Sequence, residues 1–114
     1  MRAKHINDAV KNLVSLLVKA EFDLLDEYGM LGPSTKVEYA DALKNYLGQD
    51  NQLVMPPDAY FDRLDIYETK QQDKVRVDFD LWDTSGFCDL TAKISVSTLP
   101  DNTYFAVLYD LRVL

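Results

Sequence analysis

Strict alternation in the middle of the chain constrains the fold more than any other feature. Apolar residues alternate with polar or aromatic ones from residue 75 to residue 82, in the order VRVDFDLW. A period of two predicts a β-strand with one buried face and one surface face. The residues that follow, DTSGFCDL, predict a turn at Gly86. We therefore expect this strand to lie in the middle of an antiparallel sheet.

The residues before this strand have helical spacing. Apolar side chains recur every three or four positions over residues 6–19, and residues 20–28 either continue that helix or form a second short one after a kink. Thr35 and Glu38 fit a capping box that begins a further helix. Its buried stripe is expected at Val37, Ala40, Leu43 and Leu47. One turn of helix is expected near residues 58–62.

Four segments with a period of two occupy the second half of the chain. They are residues 64–68, 75–82, 90–96 and 103–114. The last has apolar residues on both faces, which predicts a central or strongly bent strand. Helices followed by strands indicate the α+β class. We expect a single domain, residues 1–114, whose N-terminal helices pack on a curved four-stranded antiparallel sheet, resembling a cystatin-like or nuclear-transport-factor-like cone.

Charge and composition limit the classes of partner. The chain has 12 Lys and Arg against 19 Asp and Glu, a net charge of −7. This argues against nucleic acid as a partner and favours association with a cationic one. No apolar run is long enough to span a membrane. The single cysteine, Cys88, cannot form an internal disulfide, and the first helix does not read as a signal peptide, so we expect a cytoplasmic protein.

No motif for catalysis or metal binding is found, and we expect neither an enzyme nor a cofactor. The one histidine, His5, lies near the N-terminus, so Cys88 has no evident base. Asp78, Asp80 and Asp83 resemble part of a calcium loop but lack its glycine and its distal glutamate. Asp78 and Asp80 share one strand face, where a solvated pair is far commoner than an acid–base pair.

A binding surface is better supported by the pattern. Asp78, Asp80 and Trp82 share the outward face of the central strand, and Asp83 and Asp89 continue the acidic character into and beyond the turn. Aromatic anchors within a polar rim are typical of protein interfaces. We therefore predict that these five residues bind a partner. The alternative for Trp82 is packing against the last strand.

Several short motifs resemble those of a bacterial domain family of uncharacterised function. They are Leu81-Trp82, then Gly86, Asp89-Leu90-Thr91 and the terminal DLRVL, matching the pattern LW, GxxDLT and D-φ-x-VL. The chain departs from that pattern at residues 84–88. Small, acidic domains of this kind also resemble immunity proteins of contact-dependent growth inhibition and polymorphic toxin systems. That resemblance implies a cytoplasmic antitoxin that binds a cognate toxin, often a cationic nuclease, and occludes its active site.

Two other possibilities remain open from the sequence. A cone-shaped fold can also hold a small molecule or support an enzyme, with a pocket between helices and sheet. Its expected lining is Tyr39, Tyr46, Phe79 and Tyr109. A homodimer that buries the open sheet face is the other possibility, and the sequence does not decide between monomer and homodimer.

Overall fold

Three helices form the first part of the protein. The computed structural model describes residues 2–113, and the side chains of all of these except Arg2 and Phe87. The helices are α1 (Arg2–Val18), α2 (Phe22–Glu27) and α3 (Lys36–Leu47). Ala20, with φ of 56°, breaks the chain between α1 and α2, so the kinked alternative is confirmed. No helix of the described residues is long and apolar enough to cross a membrane.

The capping box of α3 is confirmed, but one residue of its predicted buried stripe is wrong. The backbone N–H of Glu38 donates to Thr35 Oγ1 at 3.2 Å, and that of Thr35 donates to Glu38 Oε1 at 2.9 Å. Tyr39 and Leu43 are buried, whereas Val37 is 60% exposed. Val37 precedes Tyr39 by two positions, which is about 200° around a helix, so both cannot face the core.

The second part is a five-stranded antiparallel sheet, in place of the four strands predicted. Its strands are β1 (Leu53–Val54), β2 (Asp65–Glu68), β3 (Lys74–Asp83), β4 (Gly86–Thr98) and β5 (Tyr104–Val113). Both β1 and β2 pair with the same edge of β3, β1 near residue 83 and β2 near residue 75. A 3-10 helix, Asp58–Arg63, connects them, as predicted for residues 58–62. The α+β class with helices on a curled sheet is confirmed.

The last strand is bent but not central. A bulge near Tyr109 shifts the register between β4 and β5, which confirms the bend. The strand lies at one end of the strand order, and the segment 30–32 contacts its far edge. There Gly32 N–H donates to Leu108 O at 3.0 Å and Leu108 N–H donates to Met30 O at 2.8 Å. Its predicted end, Leu114, lies outside the described residues.

The core forms between the helices and the inward face of the sheet. Val10, Leu13 and Val14 of α1 join Val77 and Phe79 of β3 in one buried cluster. The other face, which we call the outer face, carries the alternate residues of β3, β4 and β5. Thr91 is buried there, and the remaining described side chains are half-buried or exposed. The outer face is therefore where a partner or ligand can reach the sheet.

Candidate binding surface

An aromatic pair stands at one end of the outer face. The rings of Trp82 and Tyr60 meet edge to face, with centroids 5.5 Å apart and planes at 69°. Both side chains are half-buried. Trp82 thus packs on the 3-10 helix at one edge of the sheet rather than on β5 at the other. It stays partly accessible, and such amphipathic rings are common at interfaces.

The 3-10 helix holds Tyr60 in place from beneath. Tyr60 contacts Phe79 edge to face at 5.3 Å, and Phe61 stacks on the same ring at 5.2 Å. Lys11 of α1 forms an ion pair with Asp58 at 2.9 Å. The helix is therefore fixed to both β3 and α1, and it spans the gap between β1 and β2.

Two carboxylates lie near the Tyr60 hydroxyl. Burial raises the pKa of Tyr60 most, and the charges of Asp80 and Asp65 raise it further, whereas a hydrogen bond with Trp82 opposes the rise. Tyr60 therefore stays neutral at physiological pH. Neither Tyr60 nor Asp65 was among the predicted site residues. No sequence pattern distinguishes Tyr60 in the short 3-10 helix as a binding residue. Asp65 belongs to the predicted strand at residues 64–68.

Asp78 and Asp80 do lie beside Trp82 on the outer face, but both have partners. Lys93 Nζ is 3.0 Å from Asp78 Oδ2, and these side chains are only 18% and 26% exposed for Lys93 and Asp78. Thr91 Oγ1 donates to Asp80 at 2.9 Å. Asp65 faces Asp78 directly across the β2–β3 pair. Lys93 thus compensates the repulsion that two facing carboxylates would otherwise create.

Asp83 lies apart from this group and has a structural role. It is 6% exposed and sits on the inward side of the alternation. Its carboxylate accepts bonds from Ser85 N–H at 2.8 Å, from Ser85 Oγ at 2.6 Å and from Asn51 Nδ2 at 3.0 Å. These donors lower the pKa of Asp83, the Ser85 hydroxyl most. Asp83 therefore joins the β3–β4 turn to the segment before β1.

Asp89 is exposed but engaged with α3. It accepts a hydrogen bond from the Tyr46 hydroxyl, and this bond, with burial, raises the pKa of Tyr46. The structure thus brings Asp78, Asp80 and Trp82 together, and places Asp83 and Asp89 in separate local networks. Their part in partner binding stays a prediction. We use the name aromatic–acidic patch for Tyr60, Asp65, Asp78, Asp80 and Trp82.

The residues considered for catalysis have other contacts. His5 is exposed and stacks on Tyr104 with centroids 5.2 Å apart. Cys88 is buried, and its thiol donates to Leu81 O at 3.0 Å. Within residues 2–113, no group of three or more potential metal ligands is found.

The four residues expected to line a pocket do not share one. Tyr39 and Phe79 are buried in the core, and Tyr39 donates its hydroxyl hydrogen to Gly32 O at 2.9 Å. Tyr109 lies on the outer face beside Arg76. A cleft of about 410 Å³ does open between α1, α3 and β1, but its lining includes none of the four.

The fold and the surface define an α+β protein with helices on one face of a curled antiparallel sheet and an accessible aromatic and acidic surface on the other. The chain belongs to the family described as Domain of unknown function (DUF7668), which matches residues 14–114. This agrees with the predicted membership of an uncharacterised domain family. No curated protein and no solved structure matches the chain.

Proposed function

We propose that the protein is a bacterial immunity protein that binds a cationic toxin domain and covers its active site. The observation that carries the proposal is the Tyr60–Trp82 pair beside Asp65 and Asp80 in a chain of net charge −7. Interfaces gain most of their binding free energy from a few aromatic residues enclosed by polar ones. The patch combines such residues with the charge that a cationic partner requires.

The proposed mechanism is steric and electrostatic. A nuclease active site binds phosphate groups through cationic side chains, and carboxylates of the patch would occupy those positions. Opposite net charges accelerate the encounter and make the association rate fall with added salt. Trp82 and Tyr60 would contribute the desolvated contact that slows dissociation. Inhibition takes place in the cytoplasm, where the toxin acts.

Growth rescue tests the function. The proposal predicts that a neighbouring gene encodes a toxin, and the C-terminal domain of that gene's product is expressed in a susceptible bacterium with or without this protein. We expect growth to be restored and the two chains to elute together in size-exclusion chromatography. A toxin domain that stays lethal in the presence of soluble, folded protein would contradict the proposal, as would a neighbouring gene that encodes no toxin.

A second experiment separates this mechanism from other ways of restoring growth. The purified toxin domain is assayed on its own substrate with increasing amounts of the purified protein. Occlusion predicts stoichiometric inhibition that competes with substrate. Inhibition that leaves substrate binding unchanged would contradict occlusion of the active site.

A further inference from the structure

The opposite end of the outer face carries a cationic cleft. Its volume is about 520 Å³. Lys74 and Arg76 of β3 and Ser95 and Ser97 of β4 all belong to its lining. In the register of the sheet Arg76 faces Ser95 and Lys74 faces Ser97. Directly opposed residues have Cβ atoms about 5 Å apart, and same-face neighbours along a strand lie about 7 Å apart. The four side chains therefore form a compact square of donors.

The two cations of this square differ from their neighbours on the same face. Lys93 is paired with Asp78, and Arg112 is paired with Asp110 at 3.2 Å. No carboxylate in the described part of the chain lies within ion-pair distance of Lys74 or Arg76. An acidic protein thus keeps two unneutralised cations side by side in a cleft.

Arg76 is held in a defined orientation. Its Nε donates to the Tyr109 hydroxyl at 2.8 Å, and its guanidinium carbon is 5.6 Å from the centroid of that ring. This leaves the terminal nitrogens of the guanidinium as donors. Within residues 2–113, the hydroxyls of Ser95 and Ser97 make no hydrogen bond to other protein groups. The unused donors all belong to the cleft lining.

We propose that this cleft binds the phosphate group of a small organic phosphate. A fixed guanidinium, an ammonium group and two hydroxyls are the donors that phosphate oxygens accept best. The volume exceeds what a bare phosphate ion needs, and Pro33, Val107 and Tyr109 supply an apolar wall for the organic part. The four donors and this apolar wall lie on the outer face beside the first residues of β3. The aromatic–acidic patch lies beside the second half of the same strand.

The adjoining surface extends the site on the side of β2. A second cleft of about 500 Å³ shares Thr69 and Arg76 with the first and adds Lys70. Glu68 and Asp78 also belong to its lining, and Lys93 pairs with Asp78. Lys70, Lys74 and Arg76 outnumber the remaining carboxylate, that of Glu68, so the net charge around Arg76 is positive. A ligand with a second anionic group has a place for that group near Lys70.

The test is a titration followed by heteronuclear NMR of the backbone amides. The probes are inorganic phosphate, glucose 6-phosphate and adenosine 5′-monophosphate, with glucose and adenosine as uncharged controls. We expect saturable shifts at residues 74–76 and 95–97 with at least one organic phosphate at millimolar concentration. Inorganic phosphate should bind the same residues more weakly, since it makes no contact with the wall. The proposal would be overturned if no probe shifted these amide signals. It would also be overturned if the amides of every lysine-bearing segment shifted equally.

Two variants make the assignment specific. Lys74→Gln with Arg76→Gln removes both charges and should weaken binding at least about tenfold. Lys4→Gln with Lys44→Gln removes two exposed charges elsewhere and should leave the affinity unchanged. Equal weakening in both double variants would show a general effect of net charge and overturn the site. Ser97→Ala removes one hydroxyl donor and is too small a change to unfold the protein, and it should still weaken binding measurably.

Discussion

Lys93 Nζ lies 3.0 Å from Asp78 Oδ2 on the outer face, and Asp65 of the neighbouring strand β2 directly faces the same Asp78. Lys93 thus places a cation beside the aromatic–acidic patch, and only part of the negative charge of the patch is available to a partner. Asp65 is exposed, whereas Asp78 is half-buried and its carboxylate is paired with Lys93 within the sheet. The predictions below separate these structural contributions from binding.

Removing the cation should destabilise the sheet. Lys93→Met leaves Asp78 half-buried and facing Asp65, which should lower the free energy of unfolding by about 2 kcal/mol. Adding Asp78→Asn to that variant should recover part of the loss. Urea unfolding provides the measurement. The control is Lys4→Met, whose pair with Asp8 is exposed and 3.9 Å long, so its effect should stay within about 0.5 kcal/mol. An equally small effect of Lys93→Met would contradict this role.

Asp83 should make stability depend on pH. Its pKa is lowered in the folded protein, so its contribution is present above the unfolded value near 3.8 and is lost as the pH falls through the folded value. Asp83→Asn should therefore be less stable than the wild type at pH 7, and the difference should shrink between about pH 5 and pH 3. The urea midpoint over this range is the readout. Asp41→Asn, at an exposed helical position, is the control. A difference that grows on acidification would refute the assignment.

Loss of the α3 cap at Thr35 should lower the free energy of unfolding more than truncation of Val37. Thr35→Ala removes the side-chain acceptor for Glu38 N–H and should cost about 1 kcal/mol. Val37→Ala should change stability by no more than about 0.5 kcal/mol, because Val37 is 60% exposed. Thermal and urea unfolding compare the two directly. If the valine variant were the more damaging, Val37 would belong to the core after all.

The aromatic pair should be energetically coupled. A double-mutant cycle with Tyr60→Leu and Trp82→Leu should give a coupling free energy of about 1 kcal/mol, as edge-to-face pairs do. Both single variants should remain folded, because each residue lies at the margin of the core. Additivity within about 0.3 kcal/mol would mean that the two rings do not support one another.

The sequence predicts those elements whose signal is local. A period of two marks residues 75–82 of β3, and a capping box marks the start of α3 at Thr35. The sequence leaves open whether α1 continues or breaks before α2, and the backbone at Ala20 decides for the break. By contrast, β1 has only two residues, too few to show alternation, and its pairing with β3 depends on tertiary contacts. Val37 is predicted in the core because it lies three positions before Ala40, whereas the buried stripe runs through Tyr39 and Leu43, about 200° from Val37 around the helix.

Predicting the site was harder for a physical reason. Trp82, Asp78 and Asp80 share a face because they belong to one strand, which alternation alone determines. Tyr60 reaches Trp82 only because the 3-10 helix crosses the gap between β1 and β2, a long-range relation. Asp83 breaks the outward acidic series because alternation turns it inward, where Ser85 and Asn51 provide its hydrogen bonds.

The dissociation constant of the complex with the toxin domain tests the central claim most directly. We predict that Trp82→Ala weakens binding at least about 30-fold, as the loss of a central aromatic residue does. Asp65→Asn should lower mainly the association rate at low salt. Tyr28→Ala, at a ring that is 60% exposed on α2's C-terminal end, should leave the constant unchanged. A folded Trp82→Ala variant that binds the toxin as tightly as the wild type would contradict the claim.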